Sequence, residues 1–118
     1  EKIVRDPYKT LNNKLYLIDR VNEGEYIEVM NGCTKSLIKS ATIATEEAFL
    51  NSNKKVIKTI FCLDCISRAL YMEENFDLEL NTVGEKAETS GILSIGEIAN
   101  SGESVLEIFN KTIVIAIW

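Results

Sequence analysis

The stretch that decides the fold is VIKTIFCLDCISR at residues 56–68. Its first half is apolar and β-branched, which is typical of a buried strand. Polar residues follow at the C-terminal end of this strand, among them Asp64, Cys65 and Arg68. Because ligands of helix-covered sheets tend to bind beside the carboxyl ends of the strands, this end is the predicted site.

The composition indicates one soluble globular domain. The chain has 118 residues, of which 46% are hydrophobic and 26% are charged, and this length suits a single domain with one core. Its net charge of −5 disfavours nucleic acids and anionic membrane surfaces as partners, since both attract basic proteins. No apolar run approaches the roughly 20 residues of a membrane span, and no signal peptide is visible.

The cysteine and histidine counts narrow the chemistry. Three cysteines, an odd number, argue against a disulfide framework and predict a cytoplasmic location. The absence of histidine excludes Ser-His and Cys-His catalysis and histidine-based zinc sites within this chain. Cys62 and Cys65 form a C-x-x-C pair, which is either a weak redox or metal signal or two small core residues. Cys65, at the strand end, is predicted to be the more exposed thiol.

Periodicity predicts a hairpin and a helix before the central strand. Residues 15–18 and 25–29 are predicted to form the hairpin through a turn at Gly24. Apolar residues at helical spacing then predict an amphipathic helix that is capped by Thr34 and runs to about Leu50. The strand–helix–strand order implies a crossover connection and a parallel or mixed sheet.

A second helical stretch is predicted after Arg68, with a break near Asn75. Residues 90–99 are predicted to form the next strand, residues 100–103 a turn, and residues 109–118 a last strand antiparallel to its predecessor. The expected fold class is therefore α+β, with a mixed β-sheet of about five strands and two or three helices packed on it.

An acidic residue lies inside an apolar strand. Glu97 follows Gly96, and this glycine permits another backbone or a ligand to approach closely. A carboxylate buried there needs a partner, and Arg68 is the predicted one. Two interpretations stay open. Either Glu97 faces solvent or forms a structural pair with Arg68, or the two groups hold a zwitterion, with Arg68 on its carboxylate and Glu97 on its ammonium group.

Two further polar residues belong to the predicted site. Asp64 has the chemistry of a general base, but nothing near it in the sequence suggests a nucleophile. Asn110 follows an apolar residue and precedes the last strand, where its amide either caps a turn or contacts a ligand. The complete predicted ligand site, with no cofactor and no metal ion, comprises Asp64, Cys65, Arg68, Gly96, Glu97 and Asn110.

Ordered motifs in the chain resemble those of a known family, the FIST C-terminal domain. The stretches FCLDCISR (residues 61–68), GILSIGEIA (residues 91–99) and FNKT (residues 109–112) resemble three motifs of that family in the same order. The stretch VNEG (residues 21–24) is similar to the start of its early hairpin. Ser67 departs from the family pattern, which usually has glycine at that position.

The resemblance implies a cytoplasmic sensory input domain of a bacterial signalling protein and not an enzyme. It also implies a small ligand, for which amino acids have been proposed, and an attached signalling output domain. The N-terminal FIST half that normally precedes this domain is absent from the sequence, so the chain is predicted to be a fragment of a larger protein. Because the face that this half covers is then exposed, we expect the chain to form a twofold homodimer.

Two other function classes stay open at this point. The first is a protein-interaction or scaffolding module that binds no small ligand. The second is a thiol enzyme that uses Cys65 as its nucleophile, which requires a reactive, accessible thiol. Binding of amino acids to the chain separates the sensor from the scaffold, since a ligand of the native state raises its stability.

Overall fold

The computed structural model describes residues 2–53, 56–100 and 105–118, which form an α+β fold as predicted. The elements in chain order are β1 (Pro7–Leu11), β2 (Lys14–Leu17), α1 (Thr34–Leu50), β3 (Thr59–Cys65), α2 (Ile66–Met72), a 3-10 turn (Glu73–Asn75), α3 (Phe76–Gly84), β4 (Glu88–Ser94), β5 (Glu97–Ala99), β6 (Glu107–Phe109) and β7 (Ile113–Ile117). The described residues thus contain seven strands and not the predicted five, and these strands form three small sheets.

A mixed three-stranded sheet forms the centre of the fold. β3 lies in the middle, parallel to β4 and antiparallel to β7. The parallel pairing requires the helical crossover through α2 and α3, since a strand can re-enter a sheet in the same direction only after the chain has crossed back. The predicted central strand is confirmed, but it begins at Thr59, because Val56 lies outside the sheet and is largely exposed.

One face of this sheet carries the hydrophobic core. Alternation along β3 directs Cys62 toward the helices, where it packs in a cluster with Ala41 of α1, Val83 of α3 and Ile113 of β7. These side chains are all buried. The same alternation places Asp64 on this face, so a carboxyl group lies at the edge of the core.

The opposite face of the sheet also carries apolar side chains. Register places Phe61 and Val114 on this face, together with Ile92 of β4 and the terminal Trp118. The rings of Phe61 and Trp118 lie 6.4 Å apart, and Ile92 and Trp118 are 55% and 51% exposed. Because α1 and α3 pack on the core face, no described helix covers this second face.

The predicted hairpin between residues 15–18 and 25–29 is wrong. β2 pairs antiparallel with β1, and residues 25–29 form no strand, with Val29 almost wholly exposed. Asn12 and Asn13 connect β1 to β2 with φ angles of +50° and +58°. A two-residue turn with two positive φ angles matches the twist of paired strands. The hairpin of β1 and β2 therefore forms in preference to one with the longer loop between residues 18 and 25.

The predicted strand at residues 90–99 is interrupted. β4 ends at Ser94, and β5 begins at Glu97 in a separate two-stranded sheet with β6. The predicted antiparallel pairing of the last strand with residues 90–99 is wrong, because β7 pairs with β3, while β5 pairs with the short strand β6 that precedes β7. The predicted turn at residues 100–103 falls largely outside the described residues.

The helices follow their sequence periodicity. α1 begins at Thr34 as expected, although its N-cap is Cys33 and not Thr34. The second helical stretch breaks where predicted, since a 3-10 turn that ends at Asn75 separates α2 from α3. Within the described ranges, no helix is both long enough and apolar enough to cross a membrane.

Candidate functional site

The candidate site lies at the C-terminal end of β3, where the chain passes directly into α2. Asp64 points into the protein from this end, and Arg68 follows it one helical turn later. Both residues are only 1% exposed. A buried carboxyl group and a buried guanidinium must find partners inside the protein, because an unpaired buried charge is strongly unfavourable.

Arg68 is neutralised by Glu79 of α3. Its Nε donates to Glu79 Oε1 over 3.1 Å and its Nη2 donates to Glu79 Oε2, which gives a two-pronged, charge-assisted pair. Its remaining N–H groups donate to Leu37 O at 2.8 Å, to Lys111 O at 3.1 Å and to Ser40 Oγ at 3.3 Å. The protein therefore occupies every donor of the guanidinium, and these bonds tie α1, α2, α3 and the loop before β7 together.

Sequence reasoning missed Glu79, the main partner of Arg68. Glu79 is fully buried although it is charged, because it lies on the apolar side of α3. The signal in the sequence is its position three residues after Phe76 and four before Val83, on the stripe that faces the core. Arg68 pairs with Glu79 and not, as predicted, with Glu97, since α3 delivers the nearer carboxylate.

Asp64 lies beside this pair and accepts no hydrogen bond from a protein donor. Its Oδ1 is 3.3 Å from Arg68 Nε, but that N–H bonds to Glu79, and neither oxygen of Asp64 accepts a hydrogen bond. Burial, the negative charge of Glu79 and a hydrogen bond between the two carboxyl groups raise the pKa of Asp64, Arg68 offsets part of this rise, and the pKa that results is about 7. Asp64 therefore changes its protonation near neutral pH, unlike an ordinary aspartate.

Glu97 is the second buried carboxyl group without a full set of partners. It is only 2% exposed, so the solvent-facing interpretation is wrong. Its Oε1 accepts a hydrogen bond from Ser94 Oγ at 2.7 Å, while its Oε2 has no hydrogen-bond partner. Burial raises the pKa of Glu97, and the Ser94 hydroxyl, the Cys65 thiol and the charge of Arg68 offset part of that rise.

Gly96 and Asn110 fix the start of β5. A Cβ at Gly96 would lie 3.1 Å from Asn110 Nδ2 and 3.3 Å from Phe109 O, so the glycine permits a close approach. Asn110 is fully buried, its Nδ2 donates to Ile95 O and Phe109 O, and its Oδ1 accepts from the amide of Asp6. These bonds occupy both N–H groups of the Asn110 side chain and agree with the turn-capping interpretation.

The prediction that Cys65 is the exposed thiol is wrong. Cys65 is fully buried with its Sγ 3.1 Å from Ser67 Oγ, whereas Cys33 is the exposed cysteine. Because Cys62 and Cys65 lie on one extended strand, their Cα atoms are about 10 Å apart, too far for a disulfide. Cys62 packs in the core as a small hydrophobic residue, which was one of its two interpretations.

A partly open cavity of about 630 Å³ lies between α3 and β4 and reaches down to Asp64. Among the residues that line it are Cys62, Phe76, Leu80, Asn81 and Leu93. Gly91 also lines this cavity, and a Cβ there would collide with the carbonyl oxygen of Cys62 and lie 2.6 Å from its Sγ. The cavity, with its largely apolar walls, therefore ends at the side chain of Asp64, whose two carboxyl oxygens are closed to solvent.

The charges buried around the end of β3 do not balance. In the described part of the chain, this cluster contains three buried carboxyl groups, those of Asp64, Glu79 and Glu97, and one buried guanidinium, that of Arg68. Arg68 neutralises Glu79, so Asp64 and Glu97 need protons or a cation from outside. The described side chains include no group of three or more His, Cys, Asp or Glu placed to hold a metal ion. The cluster is thus suited to hold a proton or one positively charged group.

Comparison with known proteins identifies a family. The family model of the FIST C domain, which is a sensory-type domain, matches residues 1–100. The matched range contains the buried cluster at the end of β3, while residues 101–118, with β6, β7 and Asn110, lie outside it. No curated protein and no solved structure matches the chain significantly. Because the family match covers well over half of its length, the chain belongs to the FIST C domain family.

Proposed function

We propose that the chain is a small-ligand-sensing input domain of a cytoplasmic, bacterial signalling protein and that it is not an enzyme. In this proposal it works beside an N-terminal FIST half and passes its signal to an output domain. The sensory character of the FIST C family supports the signalling role. The ligand-binding role is supported by the unpaired carboxyl oxygens of Asp64 and Glu97.

These unpaired oxygens are the observation that carries the proposal. Buried polar atoms are almost always hydrogen bonded, so two neighbouring carboxyl groups with free oxygens call for an explanation. In the free protein a proton neutralises Asp64, whose pKa is raised to about 7. A ligand with a positive charge replaces this proton and gains a strong contact, because the surroundings are poor in water.

The proposed ligand presents an ammonium group, a class that includes amino acids and related small zwitterions. Its ammonium group has Asp64 and Glu97 as partners. For a ligand carboxylate the predicted partner is Arg68, which must then exchange one of its present acceptors, above all Glu79. Such an exchange loosens the contact between α2 and α3, and this conformational change can transmit ligand binding to the rest of the signalling protein.

Thermal unfolding of the 118-residue chain with a panel of amino acids, small amines and organic acids tests this proposal. A ligand of the native state at 100 times its Kd stabilises it by about 2.7 kcal/mol. We expect compounds with an ammonium group to raise the melting temperature, and the double variant Asp64→Asn/Glu97→Gln to abolish the rise.

The matched control for this experiment is Glu46→Gln, which removes an exposed carboxylate of α1. This variant should respond to the panel as the unsubstituted chain does. The absence of a melting shift with every ammonium compound contradicts the sensing proposal. A shift that survives in the double variant places the ligand elsewhere in the chain.

A protein-interaction or scaffolding role is the second candidate, and the open face of the central sheet favours it. Phe61, Ile92, Val114 and Trp118 present apolar surface there without a described helix above them. Contiguous exposed apolar surface of this kind usually marks a contact site. We propose a second copy of the chain as the occupant, in a twofold homodimer that joins the same face of both copies.

Sedimentation of the chain at several concentrations measures this association. We expect dimers at high protein concentration, and monomers for the double variant Ile92→Lys/Trp118→Lys, since burial of a charge in the interface is unfavourable. Leu70→Lys is the control, because Leu70 is an exposed apolar residue on α2 and not on the sheet. A wild-type chain that stays monomeric at high concentration contradicts the dimer.

A further inference from the structure

The cavity between α3 and β4 has the chemistry of a site for an organic cation. Asp64 forms its floor, is almost fully buried and has no hydrogen bond to either oxygen. Phe76 and Leu80 from α3 and Leu93 from β4 provide apolar walls. A volume of about 630 Å³ lies within the usual range of small-molecule sites, which combine apolar walls with a few polar groups.

The charged groups around this cavity are acidic. Asp64 and Glu88 are the charged side chains among the described residues that line it, and the lining includes no lysine or arginine. Arg68 lies behind Asp64 with all its donors bonded to protein acceptors. A ligand carboxylate in the cavity therefore meets no positive partner and is repelled by each acid that is ionised, whereas a ligand ammonium group is attracted.

We propose that this cavity binds an amine that carries an aromatic or alkyl body and no carboxylate, with its ammonium group on Asp64. The inference rests on the proposed sensing function and narrows its ligand class. The ammonium group donates to the oxygens of Asp64, which accept no hydrogen bond in the free protein and turn toward the cavity on binding, since both are closed to solvent beforehand. The apolar body packs against Phe76, Leu80 and Leu93, which become buried in the complex.

The ammonium group competes with a proton for Asp64. The titratable or charged groups around Asp64 are Arg68 of α2, Glu79 of α3, Glu97 of β5, Glu88 on the cavity wall of β4 and Cys62 of β3 itself. The pKa of Asp64 is raised to about 7, so the acid is mostly neutral in the free protein below that pH. Binding is then RNH₃⁺ + Asp64–COOH → RNH₃⁺···⁻OOC–Asp64 + H⁺. Affinity for the amine consequently rises with pH through neutrality.

Three compounds with the same phenylethyl body separate the ligand classes. 2-Phenylethylamine is a cation, 3-phenylpropanoate is an anion and phenylalanine is a zwitterion. In calorimetric titrations of the 118-residue chain, the amine should bind about ten-fold tighter than either of the other two, or better. Its affinity should also increase from about pH 6 to about pH 8, because fewer copies of Asp64 then hold a proton.

Variants of two residues locate the binding. Asp64→Asn keeps the size of the side chain and removes its charge, so it should weaken amine binding about ten-fold or more. Asn81→Trp places an indole at an exposed position of the cavity wall on α3 and should also prevent binding. Asp77→Trp, an exposed position of the same helix outside the lining, is the matched control and should bind the amine normally. Circular dichroism of each variant verifies that it is folded.

Two outcomes overturn the inference, and they differ in what they say about the sensing function. If phenylalanine binds as tightly as the amine or tighter, the cavity does not select against a carboxylate, while the sensing function stands. If the amine does not bind, or binds equally well to folded Asp64→Asn and Asn81→Trp, this cavity is not its site. In that second case, melting shifts with other ammonium compounds still decide the sensing function on their own.

Discussion

At the scale of single residues, Arg68 holds the buried cluster together. Arg68→Met removes the guanidinium and leaves Glu79 and Asp64 buried without a counter-charge. Loss of one partner of a buried ion pair typically costs about 3–5 kcal/mol, so we expect the free energy of unfolding to fall by this amount. Equilibrium unfolding in urea measures the loss.

The double variant Arg68→Met/Glu79→Met tests the reason for that loss. Apolar replacement of both members of a buried pair is often neutral or stabilising, because no unpaired charge remains. We therefore expect the double variant to be clearly more stable than Arg68→Met alone. A double variant that is less stable than Arg68→Met alone would show that the two residues contribute to stability independently.

Asp64 makes stability depend on pH in a direction opposite to that of most acids. Its pKa is raised from the ordinary 3.8 to about 7, so between these values the unfolded chain has released a proton that the native state keeps. Stability from this proton is fully present below about pH 4 and is lost as the pH rises to about 7. Burial also raises the pKa of Glu97, which acts in the same direction.

Urea unfolding at several pH values between about 4 and 8 measures this dependence, which Asp64→Asn should flatten because the amide does not titrate. Asp77→Asn on the exposed side of α3 is the control and should keep the slope of the unsubstituted chain. Equal slopes for Asp64→Asn and the unsubstituted chain would contradict a raised pKa at Asp64.

At the scale of elements, the contact between β3 and β4 depends on Gly91. A Cβ at this position would collide with the carbonyl oxygen of Cys62, so Gly91→Ala must push the paired strands apart. Overpacking of this kind typically costs about 1–3 kcal/mol. Gly32→Ala is the control, because a Cβ there meets nothing within 4 Å and should leave stability nearly unchanged. Similar urea midpoints for the two variants would contradict the tight contact.

At the scale of the whole molecule, the N-terminal hairpin and the central sheet differ in burial. Every residue of β1 is exposed and β2 is nearly so, whereas every residue of β3 is buried or half-buried. Segments with few buried contacts open most readily, so amides of the hairpin should exchange with deuterium much faster than those of β3. Mass spectrometry of peptides from both regions measures the rates, and equal protection would contradict this difference.

The sequence by itself determined the elements whose signals are local. The β-branched run predicted most of β3, and the spacing of apolar residues predicted α1. Asn75 correctly indicated the break between α2 and α3. The sequence also predicted that Asp64 and Arg68 lie together at the end of β3, because residues four apart in the chain cannot be far apart in space. Such features depend on neighbours in sequence, which short-range sterics and periodicity constrain.

Only the tertiary structure decided which distant segments meet. Residues 25–29 have the alternation of a strand, yet the earlier segment at β1 takes the pairing with β2. Glu79 and not Glu97 reaches Arg68, and Cys65 is buried although it is the last residue of a strand. In each case several segments had equally suitable local chemistry, and the packing of α3 and the strands on one core selected among them. Burial then left both oxygens of Asp64 and one oxygen of Glu97 without a hydrogen bond, since a carboxyl group loses water only when the whole chain has closed around it.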